Sequence, residues 1–204
     1  MNLLRALLFL VVSSTAFAVP NVIVIIADDL SWQDLGCYGT TDVYTPAIDA
    51  LAANGVRFTH AYASASICSP SRAGILTGRY QQRSGHETNP GGTLEENIAF
   101  GLPQREATMG NRFKQLTSSY ATGWIGKSHL GSASIYHPMN RGFDRFFGFL
   151  QSHHNYFAAN QAEGEEPILD NFTDVPPEPA MEYLTDALAT KCVQFIHQHK
   201  DHPF

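Results

Sequence analysis

The stretch Asn21-Val22-Ile23-Val24-Ile25-Ile26-Ala27 constrains the fold of this chain more than any other. Its β-branched residues lose side-chain freedom in a helix and pack well on a pleated surface. The run is continuously apolar, not alternating, which is the pattern of a strand buried on both faces in a parallel sheet. Asp28 and Asp29 follow at its carboxyl end. "TPAIDALAANG" then reads as a helix, with Thr45 as N-cap, Pro46 at the first helical position and Gly55 just past the end. "VRFTHAYA" alternates like a second strand. Strand, helix and strand in succession predict an α/β fold with a mostly parallel central sheet flanked by helices. In such sheets, sites gather beyond the carboxyl ends of the strands.

The 204 residues are 44% hydrophobic and 16% charged, a composition sufficient for one sizeable core. A formal net charge of -6 with no basic stripe argues against nucleic acid as partner. The first residues read as a signal peptide: Arg5 is the positive start, Ala6 to Val12 the apolar centre, and Ala16-Phe17-Ala18 a small-residue cleavage site. Residues 1–18 are thus expected to be removed and the remainder exported, to a periplasmic or extracellular destination. A retained anchor is the competing reading, but the apolar stretch is short for a bilayer. No membrane-spanning run follows it.

Export bears on the cysteines, since oxidising compartments favour disulfides. There are three, Cys37, Cys68 and Cys192, so at least one is unpaired. Cys192 shares the apolar face of a predicted helix with Met181, Leu184, Leu188, Phe195 and Ile196, and reads as a core residue. A Cys37–Cys68 bridge stays open at this point.

The segment around Cys68 has its own physics. Ser69 and Pro70 suit a helix start and "SRAGILTG" carries a helix to Gly78. Cys68 then lies at a helix N-terminus, where free N–H groups and the dipole favour anions, and Arg72 one turn later reaches the same place. Such a position stabilises negative charge on the residue or on a bound oxyanion. In "ATGWIGKSHLG", a strand from Tyr120 to Ile125 is followed by a turn at Gly126, with Lys127 and His129 on one side. A cation and an imidazole at a strand end suit a polyanionic substrate, although taken alone each reads better as a solvated lysine or a satisfied histidine. The Asp28-Asp29 pair is likewise a turn or cap, or else the start of a site for a hard cation such as Ca²⁺ or Mg²⁺.

Taken together, "CSPSR" at 68–72, continuing through "AGILTGRY", resembles the signature of the sulfatase family. "GKSHLG" resembles the family's second signature block. The segments "IIADDL", "TPAIDALAANGVRFTHAYA", "NRGFDRFFGF" and "EYLTDALATKCVQFIHQHKDHPF" occur in the family's order. The resemblance runs over residues 19–204. It implies an alkaline-phosphatase-like fold and hydrolysis of a sulfate ester, of a sulfated small molecule or a glycan. It further implies that a maturation enzyme oxidises Cys68 to formylglycine, whose hydrate supplies one oxygen as nucleophile and a second to expel sulfate. By matched position, Asp28, Asp29 and residue 68 would hold a divalent cation, Ca²⁺ before Mg²⁺. Arg72 would stabilise the ionised hydrate, Lys127 would contact sulfate, His129 would orient or deprotonate the hydrate, and Ser152 would touch residue 68 or its substrate.

Two departures concern packing: Ser128 stands where the family usually has Trp, and Ser119 where Gly is common. A third concerns extent. The resemblance implies a further Asp/Asn pair, a second Lys and a His acting on the leaving group, none of which can be matched here. The expectation is therefore an N-terminal part of the catalytic domain, incomplete at the C-terminus and inactive on its own. A phosphonate or phosphate ester hydrolase of the same superfamily and a non-catalytic oxyanion or glycan binder are the alternatives. Elsewhere, residues 161–180 are acidic and Pro-rich and read as a surface excursion. Asn171-Phe172-Thr173 is a glycosylation sequon if the source glycosylates exported chains. His197, His199 and His202 read as solvent-facing, not as a metal site.

Overall fold

The computed structural model describes residues 19–90, 100–117, 119–157, 167–176 and 183–204. The expected signal peptide and Met181 lie outside them.

Helix α1 spans Pro46–Asn54, with Thr45 at its N-cap, proline at the first turn and Gly55 closing it, as the sequence predicts. The Thr45 hydroxyl does not cap its own helix. It accepts from the Gly36 N–H at 2.9 Å and donates to Asp49 Oδ1 at 3.1 Å. Asp49 Oδ1 also accepts from the Cys37 N–H at 2.6 Å, so α1 is bound to the 3-10 turn Gly36–Tyr38. Cys37, Cys68 and Cys192 are all free thiols, which removes the Cys37–Cys68 bridge.

Helix α2 spans Cys68–Thr77 and stops at Gly78, which adopts φ 63 and donates its N–H to Gly74 O at 2.9 Å. It begins at Cys68 itself, one residue before the expected start. Helix α3 spans Met109–Leu116 behind a capping box built by Thr108 and Asn111.

The sheet follows, in the order β1 (Gly123–Ile125), β2 (Arg145–Gly148), β3 (Leu169–Asp170) and β4 (Thr173–Asp174). β1 and β2 are parallel, with Trp124 opposite Phe146, and the other two pairings are antiparallel. Helix α4, Leu184–His199, packs on β1 and β2 through one face. Leu184 and Phe195 on that face are buried, Leu188 packs on the adjoining cluster, and Cys192 is half-buried, its thiol pKa raised by burial. His197 and His202 are exposed, as expected, while His199 stacks on Phe195. One cluster gathers Ala73, Leu76, Leu102 and Leu130, and a second Phe147, Phe149, Ile168 and Leu184. The class is therefore α/β, an open mixed sheet with flanking helices. No helix among the described residues is long and apolar enough to cross a membrane.

Three sequence expectations need correction. Residues 21–27 are extended but form no strand, and Ile23 and Ile25 are 60% and 79% exposed. A strand exists by pairing its backbone groups with a neighbour, and this run has one backbone pairing of that kind, Val22 N–H to Phe204 O at 2.8 Å. Residues 56–63 are exposed and unpaired for the same reason. Within the acidic, Pro-rich region, residues 169–174 are not a loose excursion but the hairpin β3–β4, with Ile168 fully buried beneath it. Asn171 turns the hairpin at φ 58, and its Oδ1 accepts from the Phe146 N–H at 3.1 Å.

Candidate functional site

Three pieces of chain meet at one place: the end of the extended segment, the first turn of α2, and the run just beyond β1. The last is set by the sheet. The parallel pairing of β1 with β2 continues past the strand ends, through Gly126 N–H to Phe147 O at 2.8 Å, Ser128 N–H to Phe149 O at 2.9 Å and His129 N–H to Leu150 O at 3.0 Å. Gly126 and Gly148 allow it: both have positive φ, and a Cβ on Gly148 would overlap the Gly126 carbonyl. Lys127 and His129 thereby follow the carboxyl end of β1, Lys127 on the cavity and His129 buried away from it, not together on one side as the alternation predicted.

Asp28 joins the three pieces. Its Oδ1 accepts from Arg72 Nη2 at 3.1 Å and its Oδ2 from Lys127 Nζ at 2.5 Å. Arg72 is buried and also donates through Nη1 to the Lys127 carbonyl at 2.6 Å, an oxygen shared with Trp124 Nε1 at 3.2 Å. Partial burial alone would raise the Asp28 pKa. The hydrogen bonds from Lys127 and Arg72, with their positive charge, outweigh it and hold the carboxyl below its ordinary value. Asp29, one residue on, sits in a left-handed conformation at φ 56.

Asp28, Asp29, Cys68, Arg72, Lys127 and Ser152 all line one open cavity of about 900 Å³. Its inner walls are apolar, including Val24, Ile26, Trp124 and Phe149. Six of the seven residues singled out in the sequence thus share a cavity. The Ser152 hydroxyl is bonded to the neighbouring His153 Nδ1 at 2.8 Å.

His129, the seventh, is 2% exposed, in a left-handed conformation at φ 54. Its Nδ1 is buried without a hydrogen-bond partner among the described residues. Burial, followed by the positive charges of Lys127 and Arg72, pushes its pKa down to about 4, so the imidazole is neutral near pH 7. The sign of the pH effect follows. A base whose folded pKa lies below its unfolded value favours the folded state when neutral, and the folded state loses that advantage as pH falls from the unfolded pKa near 6.5 toward 4. Between pH 7 and pH 5 this histidine alone should remove about 2 kcal/mol of unfolding free energy. Urea denaturation of the wild type and of His129→Gln across that range checks it: the wild type should lose stability and the variant should show a flatter acid slope. Parallel slopes would contradict the assignment.

Sequence reasoning missed two partners. Asn89 Oδ1 accepts from the Ser69 N–H at 3.0 Å and from the Cys68 thiol at 3.5 Å, capping α2 where Ile67 offers no side-chain oxygen. Ser69 Oγ is bonded to His86 Nε2 at 2.6 Å and donates to the His129 carbonyl at 2.5 Å. His86 and Asn89 lie in "GHETN", a turn with no periodicity and no motif; nothing local marks them.

The donor set can be tested for a cation from these contacts alone. Asp28 and Asp29 offer hard carboxylate oxygens on the same cavity as residue 68, which fits a hard divalent ion better than a soft one. Among the described residues no cluster of three or more His, Cys, Asp or Glu converges. The fit is chemically right and partial in number.

Comparison with known proteins places the chain among its relatives. Human arylsulfatase D is 46% identical over 137 residues, 63% of this chain and 23% of that protein. Rat arylsulfatase G is 36% identical over 204 residues, 88% of this chain and 38% of that protein. Among solved structures, Ps i-CgsB superposes with a TM-score of 0.77 at 35% identity, covering 91% of this chain and 43% of that one. A second crystal structure of Ps i-CgsB is a complex with k-i-k-neocarrahexaose. The PsFucS1 sulfatase from Pseudoalteromonas sp. gives a TM-score of 0.68 at 26% identity, again over 91% of this chain and 42% of that one. The chain thus spans less than half the length of each of these relatives. The family profile described as Sulfatase matches residues 20–204. With that match over nearly the whole chain, and with the signature residues of α2 and the β1 end gathered at one cavity, this chain belongs to the sulfatase family.

Proposed function

We propose that the protein carrying this chain hydrolyses sulfate esters, using residue 68 in its formylglycine form as nucleophile and a divalent cation, Ca²⁺ in preference to Mg²⁺. The observation that supports it most is the meeting of Cys68 with Asp28, Arg72 and Lys127 on one cavity. Formylglycine would supply the paired oxygens that a thiol lacks. The cation, held by Asp28 and Asp29 beside residue 68, would polarise a sulfate oxygen.

The chain's own residues do the rest. Arg72 and Lys127 carry two positive charges against two carboxylates, so the site has no positive surplus of its own, and Asp28 holds both cations in place. Lys127 is the group able to turn from Asp28 toward a sulfate, since its ammonium sits at the cavity while Arg72 stays fixed by two acceptors. The α2 N-terminus, with residue 68 at its first position, favours negative charge there. His129, neutral and with a buried nitrogen lacking a partner, suits a base or orienter for residue 68. Ser152 lines the same cavity and would contact residue 68 or the substrate. The sulfated substrate is a glycan or a small molecule; Ps i-CgsB, crystallised with an oligosaccharide, favours a glycan. The leader at 1–18 and export to the periplasm or exterior, with a maturation enzyme acting on Cys68, complete the reading.

Paired sulfate and phosphate esters of one aryl alcohol test the reaction class: turnover of the sulfate alone is expected, and turnover of the phosphate alone would overturn it. The cation is tested separately. Asp28→Asn and Asp29→Asn should each weaken calcium affinity by about tenfold or more, because each removes a charged oxygen ligand. Calcium titration by calorimetry checks it, and wild-type affinity in both variants would return the pair to a simple turn.

A further inference from the structure

Ser69 occupies the position of the signature to which the family resemblance assigns no task, yet it is completely buried, as is His86 beside it. The direction of its hydrogen bonds follows from elimination. The His129 carbonyl can only accept, so the Ser69 hydroxyl proton points to it at 2.5 Å. The remaining contact, 2.6 Å to His86 Nε2, must then bring a proton from the imidazole. Burial lowers the His86 pKa, opposed by a hydrogen bond to the Gly101 backbone, and a neutral ring that donates to Ser69 carries its proton on Nε2. His86 is itself held flat against Phe100, ring centroids 5.4 Å apart. The chain of contacts therefore runs one way, from His86 through Ser69 to the backbone of His129.

What it holds is a backbone that does not hold itself. His129 is a side-chain-bearing residue in the left-handed region at φ 54, a conformation that persists only when surrounding contacts fix it. Its N–H is fixed to Leu150 O at 3.0 Å, and its carbonyl is fixed by Ser69. Ser69 is also bonded to residue 68 through the peptide link. One side chain thus couples the place of the nucleophile to the place of the histidine.

We propose that Ser69 and His86 are positioning residues, which clamp the left-handed backbone of His129 to the first turn of α2 and so fix where the imidazole sits relative to residue 68. The proposal rests on the sulfatase reading for its catalytic consequence, but not for the clamp itself. It predicts that Ser69→Ala frees the segment while leaving α4 unaffected. Amide hydrogen exchange on the chain should then accelerate at least tenfold at Ser128 and His129, with the amides of α4 unchanged. Ser69→Thr, which retains the hydroxyl, and His86→Gln, which retains a side-chain N–H, should each restore most of the protection lost in Ser69→Ala and His86→Leu. In the active protein, Ser69→Ala should lower kcat about tenfold with KM within twofold of wild type, because the substrate contacts at Lys127 are intact.

Unchanged exchange at Ser128 and His129 in both Ser69→Ala and His86→Leu would overturn the clamp. Accelerated exchange with an unchanged kcat would overturn the positioning role. If the wild type shows no sulfatase activity, the exchange result still decides the clamp, and it is the functional reading that fails. Should Ser69→Ala not fold, His86→Leu and His86→Gln carry the same comparison from the other end.

Discussion

Replacing Cys68 by alanine is expected to reduce sulfate ester turnover by on the order of 10⁵-fold or more, the scale seen when a covalent nucleophile is removed from a site that acts as a unit. Serine should not rescue it, since one hydroxyl cannot both attack sulfur and later expel the product. Cys68 is the first residue of α2, is half-buried, belongs to neither buried cluster, and its thiol donates to Asn89 Oδ1 at 3.5 Å, so neither change disturbs a core. Calcium affinity should fall far less than activity, because the two carboxylates stay in place. The companion measurement is peptide mass spectrometry of the active protein, with loss of sulfur and gain of a carbonyl oxygen expected at position 68. An active preparation carrying only thiol at that position would sink the mechanism.

The largest expected effect on stability lies elsewhere, at Phe146. This side chain is fully buried on β2, sits edge-on to His137 with ring centroids 4.8 Å apart, and lies opposite Trp124 in the parallel pairing. Its N–H is bonded to Asn171 Oδ1, which ties the β3–β4 hairpin to the same spot. Phe146→Ala would leave a cavity among groups fixed on several sides, so a loss of about 3–5 kcal/mol is expected. Phe146→Leu should cost about 1–2 kcal/mol, since most of the volume is kept. Denaturant midpoints of the two variants check the ordering. A loss for alanine under about 1 kcal/mol would show that the sheet and hairpin relax around the gap.

The helices were legible because their information is local. Proline at the first turn and glycine after the last residue define α1, and Gly78 ends α2 by its positive φ. The strands were not. An apolar β-branched run announces an extended backbone at 21–27 but does not encode a partner, and the residue that pairs with Val22 is Phe204. The β3–β4 hairpin was hidden by prolines and acids on either side, although Ile168 and Leu169 before Asp170-Asn171 carried the signal. At the site, charged side chains in signature blocks could be read, and Asp28, Arg72 and Lys127 do meet. His86 and Asn89 could not be read, because their roles exist only once α2 has docked against the end of β1.

The wiring of Asp28 also sets a clock. Its partner Lys127 is 99 residues away, and the Phe204 N–H that bonds Asn21 Oδ1 is 183 residues away. Contacts across such separations reward the chain only after long loops are closed. At ribosomal speeds of about 5–20 residues per second, Asn21 waits roughly 10–40 seconds for Phe204 to be made. During that interval α1 and α2 can form from local signals, and Arg72 and Lys127 are made before Phe204, so Asp28 can be tied down while Asn21 and Val22 still lack their partner. Val22 to Ile26 then travel as a bare, unpaired apolar segment, the kind of stretch most prone to wrong pairing. The ion pairs of Asp28 are therefore the earlier anchor and the pairing with Phe204 the later one, and Val22 to Ile26 stay substantially exposed even when both are made.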